Sequence, residues 1–197
     1  MTSSIKSRSS SRPLRYNTTT SERKESSAEH SWRLSLMAFL IAEELNLKID
    51  YLKAVKMALV HDLAEAVVGD FDSYDVAQGK ISKRDKEKAE KMGMKKLQRL
   101  LPKERGNEVY SLGEEYEQQE TAEAKYIKAL DKLETLTQFA ETGYKIFHEA
   151  TDFIAGYADI QVKKVPELRE VLVIVKKELK KQYQKGKIPW KAGYDSF

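Results

Sequence analysis

Residues 57–70 read MALVHDLAEAVVGD, and most of the architecture can be worked out from these residues. Their apolar side chains recur every three to four positions, which predicts a helix that begins after Asp50 and ends near Gly69. His61 and Asp62 interrupt the apolar pattern about three turns into that helix. Because an unpaired carboxylate is costly to bury, Asp62 is expected to have a partner, and a divalent cation bound by both His61 and Asp62 is a suitable one.

Helical periodicity continues on both sides of these residues, whereas no run alternates as a strand would. Further helices are predicted at about 27–46, 82–101, 103–118, 121–150 and 166–186. Ser82 is a suitable cap for one of them, and Pro166 suits the first turn of the last. Residues 71–81 have no helical period and are predicted to form a loop. The predicted fold class is therefore all-α, a single helical bundle.

The composition suits one helical domain and narrows its chemistry. Of the 197 residues 41% are hydrophobic and 34% charged, a balance typical of helices with one buried and one solvated face. The chain has no cysteine, so a metal must be bound by nitrogen and oxygen ligands. Basic residues number 35 and acidic residues 31, with the acids spread throughout, so no stable nucleic-acid partner is expected.

The N-terminus differs in composition from the rest of the chain. Residues 1–14 are rich in Ser and Arg, which predicts a flexible, disordered polar tail. Residues 15–185 are predicted to form the domain, and residues 186–197 a C-terminal extension. The tail has no apolar segment typical of a signal peptide, and no run of about 18 apolar residues occurs in the chain. A cytoplasmic protein without a membrane partner is therefore expected.

Two further side chains occupy settings similar to that of His61. His30 lies at the start of the first predicted helix, and Asp131 interrupts the long one, where Asp has poor intrinsic propensity. Taken singly, each has an ordinary alternative: a structural histidine, or a surface salt bridge of Asp131 with Lys128 or Lys132. Taken together, two His nitrogens and two Asp oxygens suit an ion such as Mn, Co, Ni or Fe.

The order of these residues resembles a known family. His30, then His61 and Asp62, then Asp131, all on predicted helices, resemble the HD-domain metal-dependent phosphohydrolase superfamily. Arg15 with Tyr16, and the segments 25–31, 61–70 and 127–131, look like its 5'-deoxynucleotidase branch. The resemblance spans roughly residues 15–183 and implies that the bundle is an HD domain.

The resemblance implies a role for each matching residue. It implies that the metal ligands are His30, His61, Asp62 and Asp131. Glu65 corresponds to the acid that activates or positions water, so Glu65 and the ligand Asp62 are the expected catalytic residues. Asp70 corresponds to the acid that holds the sugar 3'-hydroxyl, and Arg15 to the base that contacts the 5'-phosphate. Tyr16 stands where this branch carries a tryptophan associated with rejecting ribonucleotides.

The function implied by the resemblance is metal-dependent hydrolysis of (deoxy)nucleoside 5'-monophosphates to nucleoside and phosphate, with Mn, Co, Ni, Fe or Mg as cofactor. One alternative is another HD-type phosphohydrolase, acting on nucleoside triphosphates or phosphodiesters. A second is a helical module without enzymatic activity, whose basic tail binds nucleic acid or protein partners. A homodimer is also expected, with its contact near Val171–Val175 or Phe147–Phe153.

Overall fold

The computed structural model describes residues 14–18, 23–147 and 149–196, and for residues 14–18 it describes the backbone alone. Ten α-helices and a two-stranded ladder occur in this part of the chain. The strands are β1 (Leu14–Thr18) and β2 (Lys24–Ser26). The helices are α1 (Ser27–Glu44), α2 (Tyr51–Val60), α3 (Glu65–Val68), α4 (Ser73–Ala77), α5 (Lys83–Leu100), α6 (Lys103–Gln118), α7 (Ala122–Thr142), α8 (Thr151–Gly156), α9 (Asp159–Val162) and α10 (Arg169–Lys185). The predicted all-α class is confirmed.

Local capping sets the starts of the main helices. Ser26 and Glu29 form a capping box at the start of α1, where the Ser26 side chain accepts from the Glu29 backbone N–H. Asp50 caps α2 and Ser82 caps α5, as the sequence predicts. Thr121 caps α7 in the same way, by accepting from the N–H of Ala124.

Helix α7 forms the centre of the bundle. It packs against α1, α2, α6, α9, α10 and β1. Twelve of its side chains are buried, including Ile127, Leu130, Leu133 and Leu136. The helix ends at Thr142 and not near residue 150, because Gly143 adopts a φ of 89° that leaves the helical region. Polar groups on α7 are therefore held inside a packed core.

The exposed side of α1 and α2 differs from what their apolar periodicity suggests. The helices are where that periodicity predicts them, yet a row of large apolar residues on them faces outward: Trp32, Leu36, Phe39, Leu40, Leu52 and Leu59, with Leu63 just after α2. The buried side of α1 consists of Leu34 and of small or polar residues, among them Ala38 and Ala42. Small residues allow α1, α2 and α7 to approach closely around buried polar groups.

The ladder of β1 and β2 was not predicted. The strands pair antiparallel, with Leu14 opposite Ser26 and Thr18 opposite Lys24, and the register is irregular between these pairs. A strand of three residues has too few positions to show an alternating pattern, which explains why the sequence did not reveal it. The ladder runs directly into α1 and lies against α7.

Two more local predictions are corrected. The continuous helix predicted through residues 61–64 is interrupted by tight turns, and the loop predicted at 71–81 contains the short helix α4, capped by Asp72. The predicted tail lies outside the described residues, apart from the backbone of Leu14, so the domain boundaries stay predictions. Within the described residues, no helix has the combination of length and apolarity that crossing a bilayer requires.

Candidate metal centre

His61 and Asp62 follow the last residue of α2, and their side chains approach each other. His61 is the C-cap of α2, and the following backbone N–H groups of Leu63 and Glu65 donate to carbonyls three residues earlier. His61 Nε2 lies 3.1 Å from Asp62 Oδ1. The adjacent imidazole and carboxylate can therefore bind one cation together.

The two other predicted ligands converge on the same point. His30, one turn into α1, places Nε2 3.2 Å from Asp131 Oδ1 on α7 and 3.9 Å from Asp62 Oδ2. The ring centroids of His30 and His61 are 5.3 Å apart. The exposed fraction is 0% for His30, 4% for Asp131 and 9% for His61, while Asp62 is half-buried. All four predicted ligands thus meet at one largely buried site with a single more open side.

Hydrogen bonds at the far side of each imidazole determine which nitrogen faces this site. His61 Nδ1 lies 2.8 Å from the carbonyl oxygen of Ala58, which only accepts, so Nδ1 carries the proton. His30 Nδ1 lies 2.5 Å from Glu134 Oε2 and has an acceptor in the same way. His61 Nε2 is buried and makes no hydrogen bond to any described residue. Nitrogen lone pairs and carboxylates that face one another repel unless a cation lies between them.

The separations also suit a cation in size. Metal–ligand distances of about 2.1 Å place neighbouring ligand atoms of an octahedral ion about 3.0 Å apart and opposite ones about 4.2 Å apart. The separations of 3.1, 3.2 and 3.9 Å lie within this range. A second cluster, Glu25, His30 and Glu134, is less suitable, because 2.5 Å between His30 Nδ1 and Glu134 Oε2 is a hydrogen-bond distance. The described residues therefore form a His/Asp site that fits a divalent metal.

Asp131 is oriented by two neighbours on its other oxygen. Tyr116 Oη donates to Asp131 Oδ2 at 2.8 Å, and Lys132 Nζ lies 3.0 Å from the same oxygen. Burial alone would raise the pKa of Asp131, but the Lys132 ammonium beside it acts in the opposite direction, and that pKa lies well below its usual range. The salt bridge considered from sequence thus exists with Lys132, whereas Lys128 pairs with Glu117. Asp131 keeps its Oδ1 turned towards His30 and stays ionised.

Glu65 and Asp70 follow the turns at residues 61–64 and lie in different surroundings. Glu65 begins α3, is 7% exposed and accepts a hydrogen bond of 2.6 Å from Ser27 Oγ. Ser27 precedes His30 by one turn of α1, so Glu65 lies on the His30 side of the site. Gly69 turns the chain with a φ of 87°, and Asp70 then lines a cleft beside α7. The side chains of Arg15 and Tyr16 lie outside the described part of the chain, which contains their backbone in β1.

Two residues of this neighbourhood were not identified from the sequence. They are Tyr116 and Glu134. Glu134 follows Asp131 by three positions on α7, so helical spacing alone would have placed it on nearly the same face. Tyr116 has no such signal, because it comes from α6 and reaches Asp131 through packing.

The chain is similar to curated proteins that carry the name 5'-deoxynucleotidase. 5'-Deoxynucleotidase HDDC2 of Xenopus laevis is 42% identical over 120 residues, which is 61% of this chain and 56% of that protein. The Homo sapiens HDDC2 is 39% identical over 120 residues, or 61% of this chain and 55% of that protein. The chain thus spans a little over half the length of these curated relatives.

Solved structures match over a larger share of both chains. A predicted metal-dependent phosphohydrolase from Magnetospirillum magnetotacticum MS-1 is 28% identical with a TM-score of 0.72, covering 90% of this chain and 89% of that one. The PH0347 protein from Pyrococcus horikoshii OT3 is 27% identical with a TM-score of 0.60, covering 79% and 85%. The family model described as HD domain matches residues 9–169. Because that match includes most of the chain, this protein belongs to the HD domain family.

Proposed function

We propose that this protein is a metal-dependent phosphomonoesterase that hydrolyses (deoxy)nucleoside 5'-monophosphates to nucleoside and phosphate. The observation that carries the proposal is the convergence of His30, His61, Asp62 and Asp131, with both imidazoles presenting Nε2 to the carboxylates. The name 5'-deoxynucleotidase, carried by the relatives from Xenopus laevis and Homo sapiens, supports the substrate class.

The ligand set favours a first-row ion. Two imidazole nitrogens and two carboxylate oxygens suit Mn, Co, Ni or Fe, and Mg is the further candidate because carboxylates are also its ligands. When bound, a divalent metal supplies Lewis-acid polarisation of the phosphate ester and a water of lowered pKa. The half-buried side of Asp62 is where substrate and water would enter, because the other three ligands are more deeply buried.

The remaining roles follow from position. Glu65, held by Ser27 on the His30 side of the site, is proposed to accept a proton from the attacking water. Arg15, whose backbone lies in the ladder against α7, is proposed to neutralise the phosphate. Asp70 is proposed to hold the 3'-hydroxyl of the sugar, and Tyr16 to set how strictly a 2'-hydroxyl is rejected.

The test is phosphate release from a panel of deoxy- and ribonucleoside 5'-monophosphates. Chelator-treated protein is assayed with Co, Mn, Ni, Fe or Mg restored, beside an Asp62→Ala variant. Metal-dependent release that the variant lacks is the expected result. Release of pyrophosphate or phosphate from triphosphates alone would favour another HD phosphohydrolase. No hydrolysis, together with salt-sensitive nucleic-acid binding, would favour the helical interaction module.

A further inference from the structure

A cleft begins one helical turn from the candidate metal centre. Residues of α4, α7 and α8 line it, together with Asp70 and Phe71 before α4. Thr135 and Phe139 line it from α7, and they follow Asp131 by four and eight positions. Residues spaced by four lie one above the other on a helix, so α7 carries a continuous face from Asp131 into the cleft. A molecule with one end at the metal centre would therefore extend along this face.

Thr135 points to a polar ligand in the cleft. Thr135 is only 5% exposed, and its Oγ1 has no hydrogen-bond partner among the described residues. Other threonines of α7 satisfy their hydroxyls on the helix itself: Thr137 donates to the Leu133 carbonyl and Thr142 to the Gln138 carbonyl, both at 2.8 Å. The hydroxyl of Thr135 does not form such a bond to a helix carbonyl. A buried, unsatisfied hydroxyl is costly, so its retention calls for a partner from outside the chain.

The opposite wall of the cleft is aromatic. Tyr74 and Phe153 have ring centroids 5.5 Å apart, and Phe153 and Tyr157 5.0 Å apart, with edge or tilted contacts. All three rings are half-buried, so part of each remains available for contact. Planar bases stack on such rings without regard to their identity. This wall therefore suits a heterocyclic base.

Polar groups connect the aromatic wall to the metal centre. Lys132 Nζ donates to Tyr157 Oη at 2.9 Å and lies 3.0 Å from Asp131 Oδ2, while Asp70 lines the cleft itself. A nucleotide has three parts: a charged phosphate, a hydroxylated sugar and a planar base. The metal centre, the polar residues Asp70 and Thr135 and the aromatic rings of the cleft offer a partner for each part.

We propose that this cleft binds the nucleoside part of the substrate, with the base against Tyr74, Phe153 and Tyr157 and with Thr135 Oγ1 hydrogen-bonded to the sugar or base. The proposal rests on the proposed function, because it assumes that the phosphate lies at the metal centre. It makes Thr135 a specificity-determining residue. It also separates nucleoside recognition from metal binding, since neither Thr135 nor Phe153 is one of the four predicted ligands.

The test measures nucleoside binding without relying on turnover. Thymidine and deoxyadenosine are titrated calorimetrically into the chelator-treated full chain and into Thr135→Val, Phe153→Leu and Thr137→Val variants. Thr135→Val and Phe153→Leu should each weaken nucleoside binding about tenfold, whereas Thr137→Val, the same change two residues away on α7, should stay within about twofold. Thr135→Val should also unfold at a temperature equal to or above that of the wild type, and Thr137→Val below it, because only Thr137 loses a hydrogen bond.

Two outcomes overturn the proposal: no nucleoside binding by the wild type, or wild-type affinity in both Thr135→Val and Phe153→Leu. Phosphate release from deoxynucleoside monophosphates by the metal-loaded wild type is measured in parallel. If phosphate release is intact but the two variants bind nucleoside normally, the assignment of the cleft is rejected and the proposed hydrolysis is kept. Nucleoside binding that behaves as expected, without release under any metal, rejects the proposed hydrolysis and leaves the cleft assigned.

Discussion

Replacing Glu134 with Gln tests whether the buried contact behind His30 sets metal affinity. Glu134 is 0% exposed: its Oε2 lies 2.5 Å from His30 Nδ1, and its Oε1 forms an ion pair with Arg33, whose Nε is 3.1 Å away. The amide of Gln has nearly the same shape but only one accepting oxygen and no charge. Either the His30 N–H or the Arg33 guanidinium must therefore face an NH2 group, and His30 loses the carboxylate that makes its Nε2 a more basic ligand.

The expected effect follows from the type of contact. Loss of an outer partner of a ligating histidine weakens metal binding by about 10–100-fold, or about 1.4–2.8 kcal/mol. A buried donor left unsatisfied also lowers the free energy of unfolding by about 1–3 kcal/mol. Competition with a fluorescent chelator gives the dissociation constant for Mn or Co, and thermal unfolding of the metal-free protein gives the second quantity. Circular dichroism verifies that the variant is folded.

Glu141→Gln is the matched control. Glu141 Oε2 lies 3.2 Å from Arg33 Nη2, so this change also removes a carboxylate from Arg33, but its side chain is 51% exposed and Arg33 separates it from His30. We expect metal affinity within about twofold of wild type, since exposed ion pairs contribute only about 0–1 kcal/mol. If the Glu134 and Glu141 variants bind metal equally well, Glu134 does not position His30, and the role assigned to it is wrong.

Three further results are expected. Glu65→Gln should keep metal binding but lower phosphate release about 100-fold or more; full activity, with metal content measured by mass spectrometry, would reject the proposed proton transfer. Arg23 and then Ser26 lower the pKa of Glu29 to about 2. Above pH 4.5, the ordinary pKa of a glutamate, ionised Glu29 therefore contributes fully to the stability of the fold. That contribution is lost as the pH falls from 4.5 towards 2. Glu29→Gln should therefore lower the melting temperature at pH 7 and differ less from wild type at pH 3, and a gap of unchanged size would contradict the assignment. For the predicted homodimer, Phe147 is buried, whereas Val173 and Ile174 on α10 and the outward apolar row on α1 and α2 are exposed, and the longer row is the face to test first. Trp32→Glu, at a residue 65% exposed, should shift sedimentation from dimer to monomer, and an unaffected dimer would locate the contact elsewhere.

The helices could be predicted from sequence because their signals are local. Asp50 and Ser82 each cap the first turn of the helix that follows, and the apolar period runs through the same few residues. The same locality explains the failures. Periodicity revealed that α1 is a helix but not that Trp32 and Leu40 face outward, because which side is buried depends on the partners of α1. The short strands and α4 have too few residues to produce a pattern.

The candidate site divides in the same way. The sequence by itself determined an all-helical chain, the absence of thiolate ligands and the order of His30, His61, Asp62 and Asp131, since these depend on residue type, spacing and resemblance. Only the tertiary structure decided that Glu134 supports His30 across 104 positions, that Tyr116 holds Asp131, and that Thr135 keeps an unsatisfied hydroxyl in a cleft. The physical reason is that hydrogen bonds and burial arise between residues that are distant along the chain, and packing alone brings such residues together.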